Sequence, residues 1–522
     1  MQGESTAARR LPVPVTAFGP LHLLAIRVDR LANTGRGQEA LAAADAYLAI
    51  ARAVGDEKTA LFLLQGKMYA NLELGRIAEA APLGEQILRR HRAARSVLGE
   101  AKTLCDLARV YVMRGHYVDG MRNLARAGVL LDSTTEDGDR RRSALCSFAE
   151  AATNAEMYET AAATYEQLSD ASPAFDLVHA GTLLYWGLRL GHVGRSDEAG
   201  TRLRRSAEIT RRRIDASAPD RPADAGTAAM LALALAKLGD VIPAEKLARE
   251  VIMTLRAGEH YQYARMAHLA LGVALRAQGA LSESRRELVA ARELCAFSPR
   301  PDEPPIIRFE LALTALELDA GQSCRDLFDT VEGQVRDLWR LRLQRLSMLR
   351  QARQREEIEA ARERAEREIM RDALTDLGNR RRFDALLHRI DTGRLEPPLV
   401  LLLIDLDHFK AVNDAYSHSA GDRVLREVAA ILRAHCRAED VPVRYAGDEF
   451  VVFLRGDATV GREVAERIRA AVANADILPD AHLTVSVGLA SLAPGMTADD
   501  LFRAADERLY AAKWSGRNTI AS

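Results

Sequence analysis

The sequence has little that would tie it to a membrane, to nucleic acid or to an oxidising compartment. No stretch approaches the ~20 consecutive apolar residues that a bilayer-crossing helix needs, and the opening MQGESTAARRLPVPV lacks the apolar core of a secretory signal. Cysteine is scarce. The five present (Cys105, Cys146, Cys295, Cys324, Cys436) are scattered, odd in number and without metal-ligand spacing, which suits packing roles in a reducing cytosol better than a disulfide framework. A charge excess is also missing: 72 Lys and Arg stand against 73 Asp and Glu, so any anionic ligand must be bound locally rather than by a global field. The expectation is a cytoplasmic protein with no membrane and no nucleic-acid partner. What remains is ordinary globular composition, 48% hydrophobic and 28% charged, in a chain of 522 residues long enough for two or more domains.

After an N-terminus (1–19) expected to be flexible, residues 20–330 are rich in Ala, Leu and Arg, poor in Pro, and carry helical periodicity interrupted by single glycines. Aligning Gly35, Gly75, Gly115, Ala155, Gly194, Gly239, Gly279 and Gly321 gives steps of 40, 40, 40, 39, 45, 40 and 42 residues. Stretches such as GRIAEAAPLGEQIL and GDVIPAEKLAREVI follow these positions, with small residues that let two helices approach closely. A helix-pair unit of this size cannot bury its own apolar face, so neighbours must stack into an all-α solenoid. The segment resembles a tetratricopeptide-type array in period and small-residue placement, without the Trp and Pro markers of the standard unit. Such an array offers a groove for a protein, peptide or small-molecule ligand, or serves as a dimerising scaffold with no ligand.

Residues 331–371 read as a linking helix: from Arg336 to Asp372 there is neither Gly nor Pro, and Arg and Glu recur at helical spacing. Trp339, Leu343, Leu346, Ile358, Ala361, Ala365 and Ile369 form a thin apolar seam that suits a parallel coiled coil. A solvated single helix of alternating charge is the alternative reading.

The last part, 372–522, carries chemistry. In PPLVLLLIDLDHFKAVND a buried strand runs into Asp405 and Asp407, and residues two apart on a strand share a face. About forty residues on, VPVRY and EFVVFL read as a hairpin joined through Ala446, Gly447 and Asp448. If it lies beside the first strand, Asp448 and Glu449 come close to Asp405. Taken alone, AGDEF also reads as a solvated acidic hairpin; the matching strand-end aspartates favour a site. Gathered carboxylates raise one another's pKa unless a cation neutralises them, and all-oxygen ligation points to Mg²⁺ or Mn²⁺ beside a nucleotide triphosphate.

Six blocks in order, DALTDLGNRR, IDLDHFKAVND, AGD, RYAGDEF, VSVGLA and ADERLYAAKWSGRN, make residues 370–520 resemble a GGDEF-type diguanylate cyclase domain. The resemblance implies an α/β ferredoxin-like fold related to polymerase palms and nucleotide cyclases, and condensation of two GTP into cyclic di-GMP plus two pyrophosphates across a homodimer. It implies metal binding by Asp405, Asp448 and the Leu406 carbonyl, with Glu449 serving a second metal or the attacking 3′-hydroxyl and Asp407 supporting. Asn413 and Asp422 would read guanine. Lys410, Lys513 and Arg517 would hold the triphosphate, which needs fixed positive charge. Ala446 stands where the family has its first glycine; its methyl would penalise a positive φ and crowd a ligand beside Gly447. Ser417 also replaces a family glycine, and His418 is read as structural. Arg437 and Asp440 in RAED, with Arg467, fall where the family binds cyclic di-GMP as a feedback ligand. An inactive nucleotide sensor, or a scaffold acting through its repeats, is the alternative function.

Overall fold

The computed structural model describes residues 21–33, 36–168, 173–216, 225–255, 261–296, 303–478 and 482–522. The N-terminus 1–19 and Gly35 lie outside them. By internal contacts the chain divides into one unit through Glu357 and a second from Ile358.

The first unit is helical throughout its described length: α1 (His22–Asn33), α2 (Gly37–Ala53), α3 (Glu57–Glu73), α4 (Ile77–Ala93), α5 (Val97–Met113), α6 (Tyr117–Ser133), α7 (Asp139–Asn154), α8 (Tyr158–Glu166), α9 (Pro173–His192), α10 (Ser196–Asp215), α11 (Ala225–Leu238), α12 (Val241–Leu255), α13 (Tyr261–Ala277), α14 (Leu281–Leu294), α15 (Glu303–Leu318) and the 48-residue α16 (Gln322–Ile369). The 40-residue period is a pair of helices of about five turns each. Between them the chain reverses in a left-handed residue just past the helix end, where glycine avoids a Cβ clash. Gly55, Gly75, Gly115, Gly194, Gly239 and Gly279 all have φ between +71° and +91°. The fourth unit departs from the sequence alignment: the left-handed residue is Glu156 (φ +61°), not Ala155, which packs in the core. Arg95 (φ +52°) occupies a similar turn.

Alanine lets these helices close up. Ala228, Ala229, Ala232, Ala234 and Ala236 of α11 are buried against α9 to α13. A buried carboxylate sits beside them. Glu310 accepts from Lys237 (2.8 Å) and Arg276 (2.8 Å) and pairs with His192 (2.9 Å). Burial opposes its ionisation, but those cations outweigh it and hold the carboxyl well below the usual range.

Over residues 335–349, α16 packs into this unit. Val335, Trp339, Arg342, Leu346 and Leu349 are its buried residues, spaced 4, 3, 4 and 3 apart as a heptad seam requires. Of the expected seam, Trp339 and Leu346 are buried in this unit, whereas Leu343, Ala361 and Ala365 are exposed and Arg342 takes a buried place. Ile358 and Ile369 are exposed.

The second unit is a five-stranded sheet, order β2-β3-β1-β4-β5, from β1 (Leu399–Leu406), β2 (Val441–Ala446), β3 (Glu449–Arg455), β4 (Val485–Ser491) and β5 (Ile520–Ala521). All neighbours are antiparallel except β4 and β5. Its helices are α17 (Arg380–Asp391), α18 (Phe409–Ala415), α19 (His418–His435), α20 (Ala458–Ala473) and α21 (Ala498–Trp514). Alternation along the central strand explains its unbroken apolar run. Val400, Leu402 and Ile404 pack under α18, α19 and α20, while Leu399, Leu401 and Leu403 pack under α17 and α21. With both faces covered, no polar residue fits until the strand ends.

Gly488 of β4 faces α21 so closely that a Cβ would overlap the Ala505 carbonyl and the Leu509 backbone. Gly488→Ala is expected to destabilise this unit by about 1–3 kcal/mol. Native-state hydrogen exchange of β1 and β4 amides should show the loss while α2 to α5 keep their protection.

Candidate active site

The site lies at the end of β1, where apolar alternation gives way to carboxylates. Register brings them together: Asp405 is paired with Glu449 of β3 on one side and Ser486 of β4 on the other. Asp448 occupies the β2–β3 turn, and its carbonyl accepts from the Leu406 N–H (3.3 Å). The inferred hairpin therefore exists and lies beside the first strand. Burial, then the neighbouring Asp448 and Asp407, raise the Asp405 pKa above the ordinary value despite Lys513. Burial and the Asp405 charge do the same to Glu449.

Lys513, at the last turn of α21, forms an ion pair with Asp405 (2.7 Å). Sequence reasoning assigned this lysine to phosphate; here its ammonium stands beside a carboxylate as a cation in the acidic end of the sheet. The donor set, Asp405, Asp448, Glu449 and the Leu406 carbonyl, consists of hard oxygens whose repulsion a divalent cation would relieve, so its chemistry fits Mg²⁺ or Mn²⁺. Among the described residues no group of three or more His, Cys, Asp or Glu side chains is placed to hold a metal ion.

Asp407 takes a different part. Its carboxylate accepts from Thr484 Oγ1 (2.7 Å), Ser486 Oγ (2.7 Å) and the Asn518 N–H (3.0 Å). It thereby ties β1 and β4 to the turn in which Arg517 (φ +62°) and Asn518 (φ +47°) are both left-handed. Arg517 itself is exposed.

Asn413 lies against the start of α19, the helix that carries Asp422. A side chain at Gly421 would collide with Asn413 Oδ1, so the amide lies directly over the residue preceding Asp422. Lys410 is exposed on α18. Ser417, capping α19, has φ +149°, a region that strongly favours glycine. Ala446 behaves better than its sequence position suggests. It ends β2 without a positive φ, and Gly447 alone carries the left-handed turn (φ +46°) with open space around it. The expected strain at Ala446 is absent because the hairpin bulges between Arg444 and Ala446 and reverses one residue later.

Two residues that sequence reasoning missed brace this hairpin. Arg444 donates through Nε to the Gly447 carbonyl (2.9 Å) and pairs through Nη1 with Asp372 (3.3 Å). Burial raises the Asp372 pKa, but hydrogen bonds from Thr375 and the Arg444 charge bring it below the ordinary value. The two lie in the blocks RYAGDEF and DALTDLGNRR, 72 residues apart; the blocks were visible, the pairing was not.

Away from this end, Asp440 is buried and accepts from the backbone N–H groups of Arg437 (2.8 Å) and Arg455 (3.1 Å). The Arg437 side chain is exposed, and Arg467 donates to the His435 carbonyl (3.2 Å). Between them burial, with Asp440, pushes the Cys436 thiol up to about 12. His418 is exposed at the start of α19.

Comparison with known proteins accounts for this arrangement. Residues 369–519 match the family model described as diguanylate cyclase, GGDEF domain. This segment is a GGDEF domain. The chain is 42% identical over 161 residues to the response regulator PleD of Caulobacter vibrioides, covering 28% of this chain and 35% of that protein. It is 37% identical over 153 residues to the diguanylate cyclase DgcS of Shewanella oneidensis, covering 29% of this chain and 52% of that one. The chain thus spans between a third and about half the length of these relatives. A crystal structure of the coiled coil and GGDEF domain of DgcB from Caulobacter crescentus with c-di-GMP is 33% identical, covers 33% of this chain and 96% of that chain, and has a TM-score of 0.30. The helical repeats lie outside the matched family segment.

Because Asp407 holds three donors from two elements, Asp407→Ala should destabilise the GGDEF domain by about 1–3 kcal/mol, chiefly by leaving the buried Ser486 hydroxyl without its acceptor. It should also loosen the Arg517 turn. Hydrogen exchange at Asn518 and Thr519 should rise before that of β3.

Proposed function

We propose that the chain is a diguanylate cyclase, condensing two GTP into cyclic di-GMP with release of two pyrophosphates. The observation that supports this best is the register that sets Asp405 opposite Glu449, with Asp448 in the adjoining turn and the Lys513 ammonium against them. When bound at Asp405, Asp448, Glu449 and the Leu406 carbonyl, Mg²⁺ or Mn²⁺ would neutralise charge on the triphosphate and on the departing pyrophosphate.

The remaining work falls to the chain. Asn413 and Asp422 take the donor and acceptor edge of guanine. Lys410 and Arg517 hold phosphate oxygens, and Lys513 exchanges Asp405 for a phosphate when GTP binds. Gly447, open on its outer side, and the small Ala446 let the nucleotide approach the hairpin backbone. In each half-reaction the 3′-oxygen of one GTP bonds to the α-phosphorus of the other, the bond to pyrophosphate breaks, and the hydroxyl proton leaves toward Glu449. Each GGDEF domain holds one GTP, so the working unit is a homodimer with two sites facing each other.

Arg437, Asp440 and Arg467 form the product site. Asp440 spends its carboxylate on shaping the loop, which leaves the Arg437 guanidinium outward for a phosphate. The repeat unit regulates the enzyme in the cytoplasm, a location that rests on cysteine usage and on GTP as substrate.

Asp448→Asn keeps size and removes one charge. Cyclic di-GMP formation from GTP and Mg²⁺ should fall at least about a hundredfold, the scale on which charge-stabilising groups act. In chelator the variant should melt above the wild type, since one repelling carboxylate is gone. Near-normal turnover would overturn the site assignment.

Arg437→Ala should leave the initial rate unchanged and abolish inhibition by added cyclic di-GMP. Equal inhibition of both proteins would make RAED a surface salt pair.

A further inference from the structure

The buried seam of α16 contains a charge where a coiled coil would place an apolar residue. Arg342 is fully buried, lies over the rings of Trp339 (4.4 Å) and Tyr158 (5.4 Å), donates through Nε to the Glu156 carbonyl (2.8 Å) and pairs with Glu159. One turn on, Arg345 pairs with the Glu156 carboxylate and lies over Tyr117 (4.7 Å). Two turns further, Arg353 pairs with Asp132 of α6. Leu346 and Leu349 fill the space between, in one core with Phe148 and Ala149 of α7. The face receiving α16 is thus made by α6, α7 and α8, with Glu156 at its centre.

Glu156 is informative because of its backbone. It stands in a helix-to-helix turn where most units have glycine, with φ +61°. A left-handed non-glycine residue costs about 1–2 kcal/mol. Its carbonyl serves Arg342 and its carboxylate serves Arg345 and, at 3.6 Å, the buried Arg189 of α9. A glycine would relieve the turn and lose the carboxylate.

The network is also left partly unsatisfied. Three guanidiniums meet two carboxylates, and Arg189 Nε and Nη1, Arg342 Nη1 and Arg345 Nε have no hydrogen-bond partner among the described residues. Desolvation offsets much of the attraction in a buried ion pair, so this contact is held less tightly than an apolar seam of the same size would be. Such a contact suits docking that can be reversed.

We infer that α16 is the resident ligand of this repeat face, held by a latch centred on Glu156, and that undocking exchanges this contact for pairing of the same heptad seam with a second copy of the chain. Val335, Trp339, Leu346 and Leu349 cannot face the repeats and a second α16 at once. Their 3.5-residue spacing is that of a two-helix seam, and a buried polar residue within it sets register. Docking therefore does not depend on the cyclase reading; only its consequence for enzyme activity does.

The test uses the full chain with hydrogen exchange and light scattering, neither of which reads activity. In Glu156→Gly, exchange of residues 335–353 should accelerate at least about tenfold while α5 stays protected, and the dimer fraction at a fixed concentration should rise. Arg345→Glu should do the same. Combining Glu156→Arg with Arg345→Glu should restore protection, since Arg95 shows that an arginine fits a left-handed turn of this domain. If Glu156→Gly leaves 335–353 as protected as before, or if α5 opens with it, the latch is refuted. If the swapped pair fails to restore protection, the charge pairing is refuted. Released variants that remain monomeric would overturn the exchange with a second copy. Loss of cyclase activity with all three results intact would bear on the enzyme reading alone.

Discussion

Like charges gathered at the end of a buried strand are the constraint around which the GGDEF domain is arranged. Asp405, Asp448 and Glu449 repel one another in a partly desolvated place, and the β1–β3 register leaves them no freedom to separate. The fold answers with one ammonium, Lys513, brought by the end of α21. Its delivery depends on the close packing of α21 over Gly488, so a glycine in β4 serves the electrostatics of a site some distance along the helix.

The aspartates of IDLD illustrate how two similar residues acquire different work. Asp405 faces other carboxylates and one lysine, which leaves it available to a cation. Asp407, two residues on, accepts from two hydroxyls and a backbone N–H, which commits most of its acceptor capacity to holding the fold. The sequence places both on one face of a strand; which of them anchors the turn follows from what β4 and the C-terminal turn present to them.

The repeat unit shows the same division. Its period was legible in the glycines, because a left-handed reversal after each helix is a local demand on one residue. The fourth turn was misread by one position, since Ala155 looked like the nearest small residue while Glu156 accepts the strained conformation and binds arginines with its side chain. The α16 seam was legible at Trp339 and Leu346, but Leu343 and the positions from Ile358 on are exposed. Leu343 looked apolar enough, and only the acidic face of α6 to α8 makes Arg342 the residue to bury.

What the sequence by itself determined is what depends on near neighbours along the chain: the helical repeats, the unbroken β1, the hairpin ending in Asp448 and Glu449, and the order of blocks that marks the GGDEF domain. Tertiary structure decided the pairings between distant segments. It set Lys513 on Asp405, Arg444 on Asp372, Asp407 beneath the Arg517 turn and Arg342 against Glu159. It also relieved Ala446, whose φ is set by a bulge in the hairpin and not by residue identity. The reason is physical. Backbone geometry and periodicity are short-range properties, whereas the protonation and partner of a buried charge depend on whichever element the fold packs beside it.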